Sequence, residues 1–236
     1  ERDFFSQNTR FAGGIRFEKI NSLKNIILRD TTLEDVKVDY NYHDFWLGRA
    51  FSLRKEALTR AKTNIALTAR VIRYEFFKKP EVGERFLYEF HERTTCMMSL
   101  GISRQGFYKS NLVYGFGRTE DIPYGSALSV TGGIDFDEYY NRPYMGISYS
   151  HGSHLRNIGY LRKEVAFGGF IHQQLEQGLL LFKINYFTDL LNHTGRYKYR
   201  IFTYIDYRAG IHRFEDEYLE FSKRDGIRGL TGADLK

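Results

Sequence analysis

The stretch Ile201-Phe202-Thr203-Tyr204-Ile205-Asp206-Tyr207-Arg208-Ala209-Gly210-Ile211 decides how this chain is read. In an extended backbone Ile201, Thr203, Ile205, Tyr207, Ala209 and Ile211 fall on one side, and Phe202, Tyr204, Asp206, Arg208 and Gly210 fall on the other. Successive side chains of a strand point to opposite faces, so this pattern predicts a strand with one apolar and one polar surface. Working outward, the same alternation recurs along the chain. Leu180, Phe182, Ile184 and Tyr186 oppose Leu181, Lys183, Asn185 and Phe187, while Leu128, Val130, Ile134 and Phe136 oppose Ser129, Thr131, Gly133 and Asp135. Ile65, Leu67, Ala69 and Val71 oppose Ala66, Thr68, Arg70 and Ile72. Cys96 to Ile102 and Val36 to Tyr42 repeat the motif.

The patterned runs are about 9–12 residues, longer than the ~5–6 of ordinary soluble strands and about what a tilted strand needs to cross a bilayer. Aromatic residues gather near the run ends: Phe76 and Phe77, Tyr139 and Tyr140, Phe214 and Tyr218. Such girdles mark the interfaces of outer-membrane barrels. Strands are expected near residues 9–20, 35–53, 62–78, 92–105, 107–116, 125–137, 142–151, 160–172, 177–189 and 197–212, about ten in all. The expected connections are Lys79 to Gly83, Asp137 to Pro143, Gln173 to Gly178 and Asn192 to Gly195. Residues 21–34 and 54–61 are the least strand-like, and Arg54 to Ala61 reads as a charged loop. No repeat and no Gly/Ser/Pro-rich linker divides residues 1–236, which read as a single domain.

Composition agrees without deciding. Aromatics make up 17% of the chain, with only 3 prolines, and the mean hydropathy is negative. A transmembrane barrel averages out in this way because its lipid face and wet lumen alternate residue by residue. A soluble sandwich shares the composition, so strand length and girdles carry the distinction. The net charge of +6 is spread along the chain, whereas nucleic-acid binders concentrate lysine and arginine on one face. No nucleic-acid partner is expected. The single cysteine, Cys96, allows no internal disulfide.

Catalytic and metal patterns are sparse. Gly146-Ile147-Ser148-Tyr149-Ser150 lacks the closing glycine of a nucleophile elbow and lies in strand-patterned sequence. His151-Gly152-Ser153-His154 pairs two histidines in an expected turn without further ligands. Glu215-Asp216-Glu217 lacks the spacing of a calcium loop. The reading is a non-enzymatic chain with no cofactor and no metal.

Three segments carry a resemblance. Asp44-Phe45-Trp46-Leu47-Gly48-Arg49, Glu120-Asp121-Ile122-Pro123-Tyr124-Gly125 and Ile227-Arg228-Gly229-Leu230 together resemble the BamA/TamA-like surface-antigen superfamily of outer-membrane barrels, in its Bacteroidetes form. The last segment matches the family's Val/Ile-Arg-Gly-Phe/Tyr loop motif in three positions and departs at Leu230. The resemblance implies an antiparallel transmembrane β-barrel of sixteen strands in a bacterial outer membrane. It implies a role in assembling, inserting or translocating other outer-membrane proteins, with lipid, unfolded clients and accessory subunits as partners. In this picture Arg70, Asp135, Lys183, Asn185, Asp206 and Arg208 face the lumen, and Ile227, Arg228, Gly229 and Leu230 form a lid that folds back into it. A passive channel, or the membrane anchor of a lipid hydrolase encoded upstream, would serve the same alternation. With about ten strands in view, the chain reads as a processed form or fragment. A signal peptide is expected ahead of Glu1, and roughly four to six strands beyond Lys236.

Overall fold

A computed structural model describes residues 1–4, 8–27, 32–55, 61–80, 87–113, 115, 117–193, 197–214 and 217. The fold is almost entirely β. Its strands are β1 (Phe11–Ile27), β2 (Thr32–Lys55), β3 (Lys62–Lys78), β4 (Arg93–Asn111), β5 (Thr119–Asp137), β6 (Asn141–Leu155), β7 (Gly159–His172), β8 (Gln174–Thr188), β9 (Leu191–His193), β10 (Tyr197–Tyr199) and β11 (Phe202–Ile211). β1 to β8 and then β11 form one nine-stranded antiparallel sheet in that order, each strand paired with the next. β9 and β10 make a small hairpin within the β8–β11 connection. β1 and β11 are the two edges, and no pairing among the described residues joins them. Arg2 bridges Gly13 on the free side of β1 through two backbone hydrogen bonds.

The connections show why the chain turns where it does. β7 and β8 are joined by Gln173 alone, held at φ 48°. Between β6 and β7, Asn157 takes φ 63° and Gly159 φ 128°, while Ile158 N–H donates to Leu155 O at 3.1 Å. Asparagine tolerates that left-handed backbone better than most residues. Between β5 and β6 the Asp137 carboxylate caps the turn by accepting from Tyr139 N–H at 3.0 Å.

Several expectations are corrected. The strands expected at 92–105 and 107–116 are one strand, β4, which pairs with β5 without interruption from Arg93↔Asp137 to Asn111↔Thr119. What breaks there is the phase of the alternation, not the ladder. Exposed positions run 98, 100, 102 and 104 and then 107, 109 and 111 on β4; on β5 they run 119 and 121 and then 128, 130, 132, 134 and 136. Gly125, at φ 127° opposite Gln105, sits at the switch. A Cβ there would come within 1.9 Å of Arg104 O, so only glycine fits. Residues 119–124, which fell between expected strands, are therefore strand. The run 197–212 splits into β10 and β11. Strand also reaches into 21–34, through Ile27 and again from Thr32, and into 54–61 as far as Lys55. Gln174 opens β8 inside the expected connection, and His151 to His154 lie within β6 rather than in a turn.

The two faces of the sheet differ as the alternation requires, with the apolar side outward. Register places Leu67, Leu100, Val130, Ile147 and Phe167 side by side across β3 to β7, and they are 43%, 57%, 49%, 50% and 40% exposed. The opposite face is concave. Tyr160 Oη on β7 passes over β6 to donate to Pro123 O on β5 at 2.7 Å. Arg200, just before β11, donates to Leu112 O at 3.1 Å, Asn111 O at 2.8 Å and Ser110 Oγ at 3.0 Å, although β5 to β8 lie between along the sheet. Two buried clusters sit toward opposite ends of this face: Val38, Phe76, Leu87 and Phe90, and Val113, Ile122, Tyr160 and Phe187.

Candidate functional site

The site is the concave face, and its centre is an arginine that the sequence reading passed over. Arg142, second residue of β6, lies beside Asp135 on β5 and is fully buried, as is Asp135. Its Nη2 donates to Asp135 Oδ2 at 3.0 Å and its Nη1 to Glu176 Oε2 at 3.1 Å. The guanidinium lies 4.6 Å from the Tyr88 ring centroid, 4.4 Å from Phe170, 5.4 Å from Phe214 and 5.7 Å from Tyr140. A planar, weakly hydrated cation suits this cage of aromatic faces and carboxylates, where an ammonium would not. Asp135 is fully engaged as well, accepting from Thr95 Oγ1 at 2.6 Å and from Tyr88 Oη at 2.9 Å. Arg142 Nε has no partner among the described residues.

Glu176 reaches this centre because of a β-bulge. The β7–β8 register shifts between Gly168 and Phe170, and Gln177 takes φ 51°. The extra residue turns Glu176 onto the face of Phe170, its cross-strand partner, and so toward Arg142. Tyr88 arrives on the β3–β4 connection, in the 3-10 turn Tyr88–Phe90. Arg93 Nη1 donates to Tyr88 O at 2.8 Å and stacks on the Tyr88 and Tyr74 rings, and His91 Nδ1 lies 3.0 Å from Asp137 Oδ2. The segment is thus pinned against the concave wall. Burial above all holds the Tyr88 phenol well above its ordinary pKa, keeping its proton available for Asp135.

Register puts Arg70, Asp135, Lys183, Asn185, Asp206 and Arg208 on the concave face, in three groups. Asp135 belongs to the cage. Arg70 donates Nε to Asp44 Oδ1 at 2.9 Å, and Tyr42 Oη donates to Asp44 Oδ2 at 3.0 Å. Lys183, Asn185, Asp206 and Arg208 lie on β8 and β11, where Asp206 Oδ2 is 3.5 Å from Lys183 Nζ and 3.0 Å from Arg208 Nη2. Between the groups the wall is small and hydroxyl-rich: Ser129 and Ser148 Oγ atoms are 2.7 Å apart, and Thr131 Oγ1 donates to Ser99 Oγ at 3.0 Å. Aromatic rings lie over glycines along the same wall. Cβ atoms at Gly106 and Gly152 would fall 2.6 Å and 2.4 Å from Tyr124 and Tyr160.

Ile227, Arg228, Gly229 and Leu230, expected to form a lid, lie outside the described residues, as do Tyr218, Glu215 and Asp216. Glu217 is described and accepts from Gln177 Nε2 at 2.6 Å. Ser148 sits mid-strand, its Oγ 2.7 Å from Ser129 Oγ. His151 and His154 are three residues apart on one strand and so point to opposite faces. His154 Nε2 meets Asp189 Oδ1 at 2.8 Å. Among the described residues no group of three His, Cys, Asp or Glu could hold a metal ion.

No family model, curated protein or solved structure matches the chain. Fold and site alone therefore define its class: a curled nine-stranded antiparallel sheet with an apolar convex face and a charged, aromatic-lined concave face.

Proposed function

We propose that the chain is part of the wall of a transmembrane β-barrel in a bacterial outer membrane, of the BamA/TamA-like surface-antigen type. Its work on this reading is to assemble, insert or translocate other outer-membrane proteins, without enzymatic chemistry. One observation carries the membrane part: large apolar side chains cover the convex face while an arginine and an aspartate are fully buried on the concave one. A water-soluble sheet arranges these classes the other way round. Strands of 10 to 24 residues are long enough to cross a bilayer and extend beyond it. On this reading the edges β1 and β11, which no pairing joins among the described residues, meet further strands that complete sixteen, because an open edge cannot face lipid. The assembly role rests on the three motif segments, with Arg228 as the lid residue.

The test is reconstitution of the intact protein into liposomes, with delivery of a chemically unfolded outer-membrane protein. Faster client folding than in empty liposomes, and crosslinks from β1 to client strands, support the assembly reading. A wide, steadily open conductance with no effect on client folding would favour a passive channel. The caged Arg142 and the Arg200 bridge across the concave face argue for a partly occluded lumen.

A further inference from the structure

The convex face carries a second feature beside its apolar belt. On β4 to β7 the exposed apolar run ends at one level, with Ile102, Leu128, Tyr149 and Val165 as cross-strand neighbours. The next outward level is Arg104, Ser126, His151 and Lys163, again direct neighbours, with Arg104, His151 and Lys163 exposed. Among the described residues the cross-strand neighbours at this level include no carboxylate: Thr63 flanks it on β3 and Ile184 on β8. The outward acid Asp121 lies further along β5, opposite Lys109. At the other end of the same belt the outward residues are Thr94, Phe136 and Asn141, followed by the exposed acids Glu92 and Glu138. On β4 to β6 the belt thus ends in cations at one rim and in acids at the other, where Arg73, the outward neighbour of Thr94 on β3, lies 3.5 Å from Glu75. With strands ~4.8 Å apart, Arg104 and His151 stand about 10 Å from each other, and Lys163 about 5 Å beyond.

We propose that Arg104, His151 and Lys163 form a headgroup-binding row that holds the phosphates of anionic phospholipids at one rim of the apolar belt. The partner is set by what the row adjoins. An anion that also brings acyl chains can lie along Leu100, Val130, Ile147 and Phe167 while its phosphate meets the cations, with the Tyr149 phenol at the boundary between them. A free anion would gain nothing from the apolar neighbours. Ser126, between two cations, adds a hydroxyl donor at the same level. The phase switch on β4 and β5 places this row, because it ends the even-numbered outward series at Arg104 and Ser126. The proposal rests on the membrane reading above.

The experiment places the intact protein in nanodiscs of equal phosphatidylglycerol and phosphatidylcholine, extracts it gently, and counts retained lipid by native mass spectrometry. Phosphatidylglycerol should be retained preferentially. In R104Q/K163Q the preference should fall by at least about 10-fold, since each cation near a charged membrane surface contributes roughly five-fold. R104K/K163R should keep it, and the concave-face variant K183Q should leave it unchanged. Insertion with no lipid preference, or a preference that R104Q/K163Q leaves intact or K183Q lowers equally, would overturn the row and leave the membrane reading standing. Failure to insert into bilayers of either lipid would overturn both.

Discussion

Arg142 and Asp135 face each other from adjacent strands with Nη2 and Oδ2 3.0 Å apart and almost no side-chain surface exposed. Two buried charges are tolerable only as a satisfied set, and Thr95, Tyr88 and Glu176 complete this one. Removing one member leaves a buried charge uncompensated. Asp135→Asn should therefore cost about 3–5 kcal/mol of stability. The double variant Asp135→Asn with Arg142→Met should cost clearly less than the two single changes summed, since neither charge is then stranded. Urea unfolding of all four proteins closes the cycle, and simple additivity would show that the pair is not coupled.

The alternation made the strands and their faces legible, because a period of two survives wherever one face is apolar. It placed Lys183, Asn185, Asp206 and Arg208 on one surface before any register was known. It could not separate Asp206, which stays exposed on β11, from Asp135, which is buried on β5. Both occupy the polar face, and only the neighbours supplied by other strands distinguish them. Arg142 was illegible for the same reason: its partners come from β5, β8, the β3–β4 connection and the segment after β11. Glu176 was hidden further, since counting by twos from Leu180 puts it on the wrong face and only the bulge at Gln177 turns it inward. At Gly106 the phase slip imitates a chain break while the ladder runs on.

That slip yields a second prediction. Gly125 takes φ 127°, and a Cβ there would lie 1.9 Å from Arg104 O. Gly125→Ala must both strain the backbone and push two strands apart, which should cost at least about 2–3 kcal/mol. Gly132→Ala on the same strand meets nothing closer than Tyr144 O at 4.0 Å and should stay within about 0.5 kcal/mol of the parent. Unfolding midpoints of the two variants in the same detergent make the comparison.

Tyr88 predicts an alkaline limit. Its phenol is held above the ordinary value chiefly by burial, so the folded state favours the protonated form. That contribution is complete below the unfolded pKa of about 10 and fades as pH rises beyond it. Stability measured between about pH 8 and pH 11 should fall more steeply for the parent than for Tyr88→Phe, which has no proton to lose. Tyr140, raised first by burial and then by Glu176, adds a smaller slope that both proteins share.

Arg200 predicts a local effect. It ties the β8–β11 connection to the end of β4 through Leu112 O, Asn111 O and Ser110 Oγ, and it also donates to Thr188 O at 2.6 Å. Each charge-assisted bond is worth about 1.5–3 kcal/mol at most, and several are lost together. Arg200→Ala should speed amide hydrogen exchange around residues 108–113 and 188–202 while leaving the Arg142 cage protected. Uniformly faster exchange across the sheet would mean that the bridge supports the whole fold instead.

Val130 decides between a sheet made for lipid and one made for water. It is 49% exposed on the convex face, flanked by Leu100 and Ile147. On a water-facing surface Val130→Arg would be nearly neutral, within about 0.5 kcal/mol, and would improve solubility. At the middle of a bilayer the same arginine costs about 2–4 kcal/mol. The variant should therefore fold poorly into liposomes, and an arginine moved toward the rim at Thr94 should fold almost as well as the parent. Such a dependence on depth cannot arise from lost packing alone, since both positions lie on the same outward face of neighbouring strands. Equal, near-parental folding of both variants would remove the membrane from the account of this sheet.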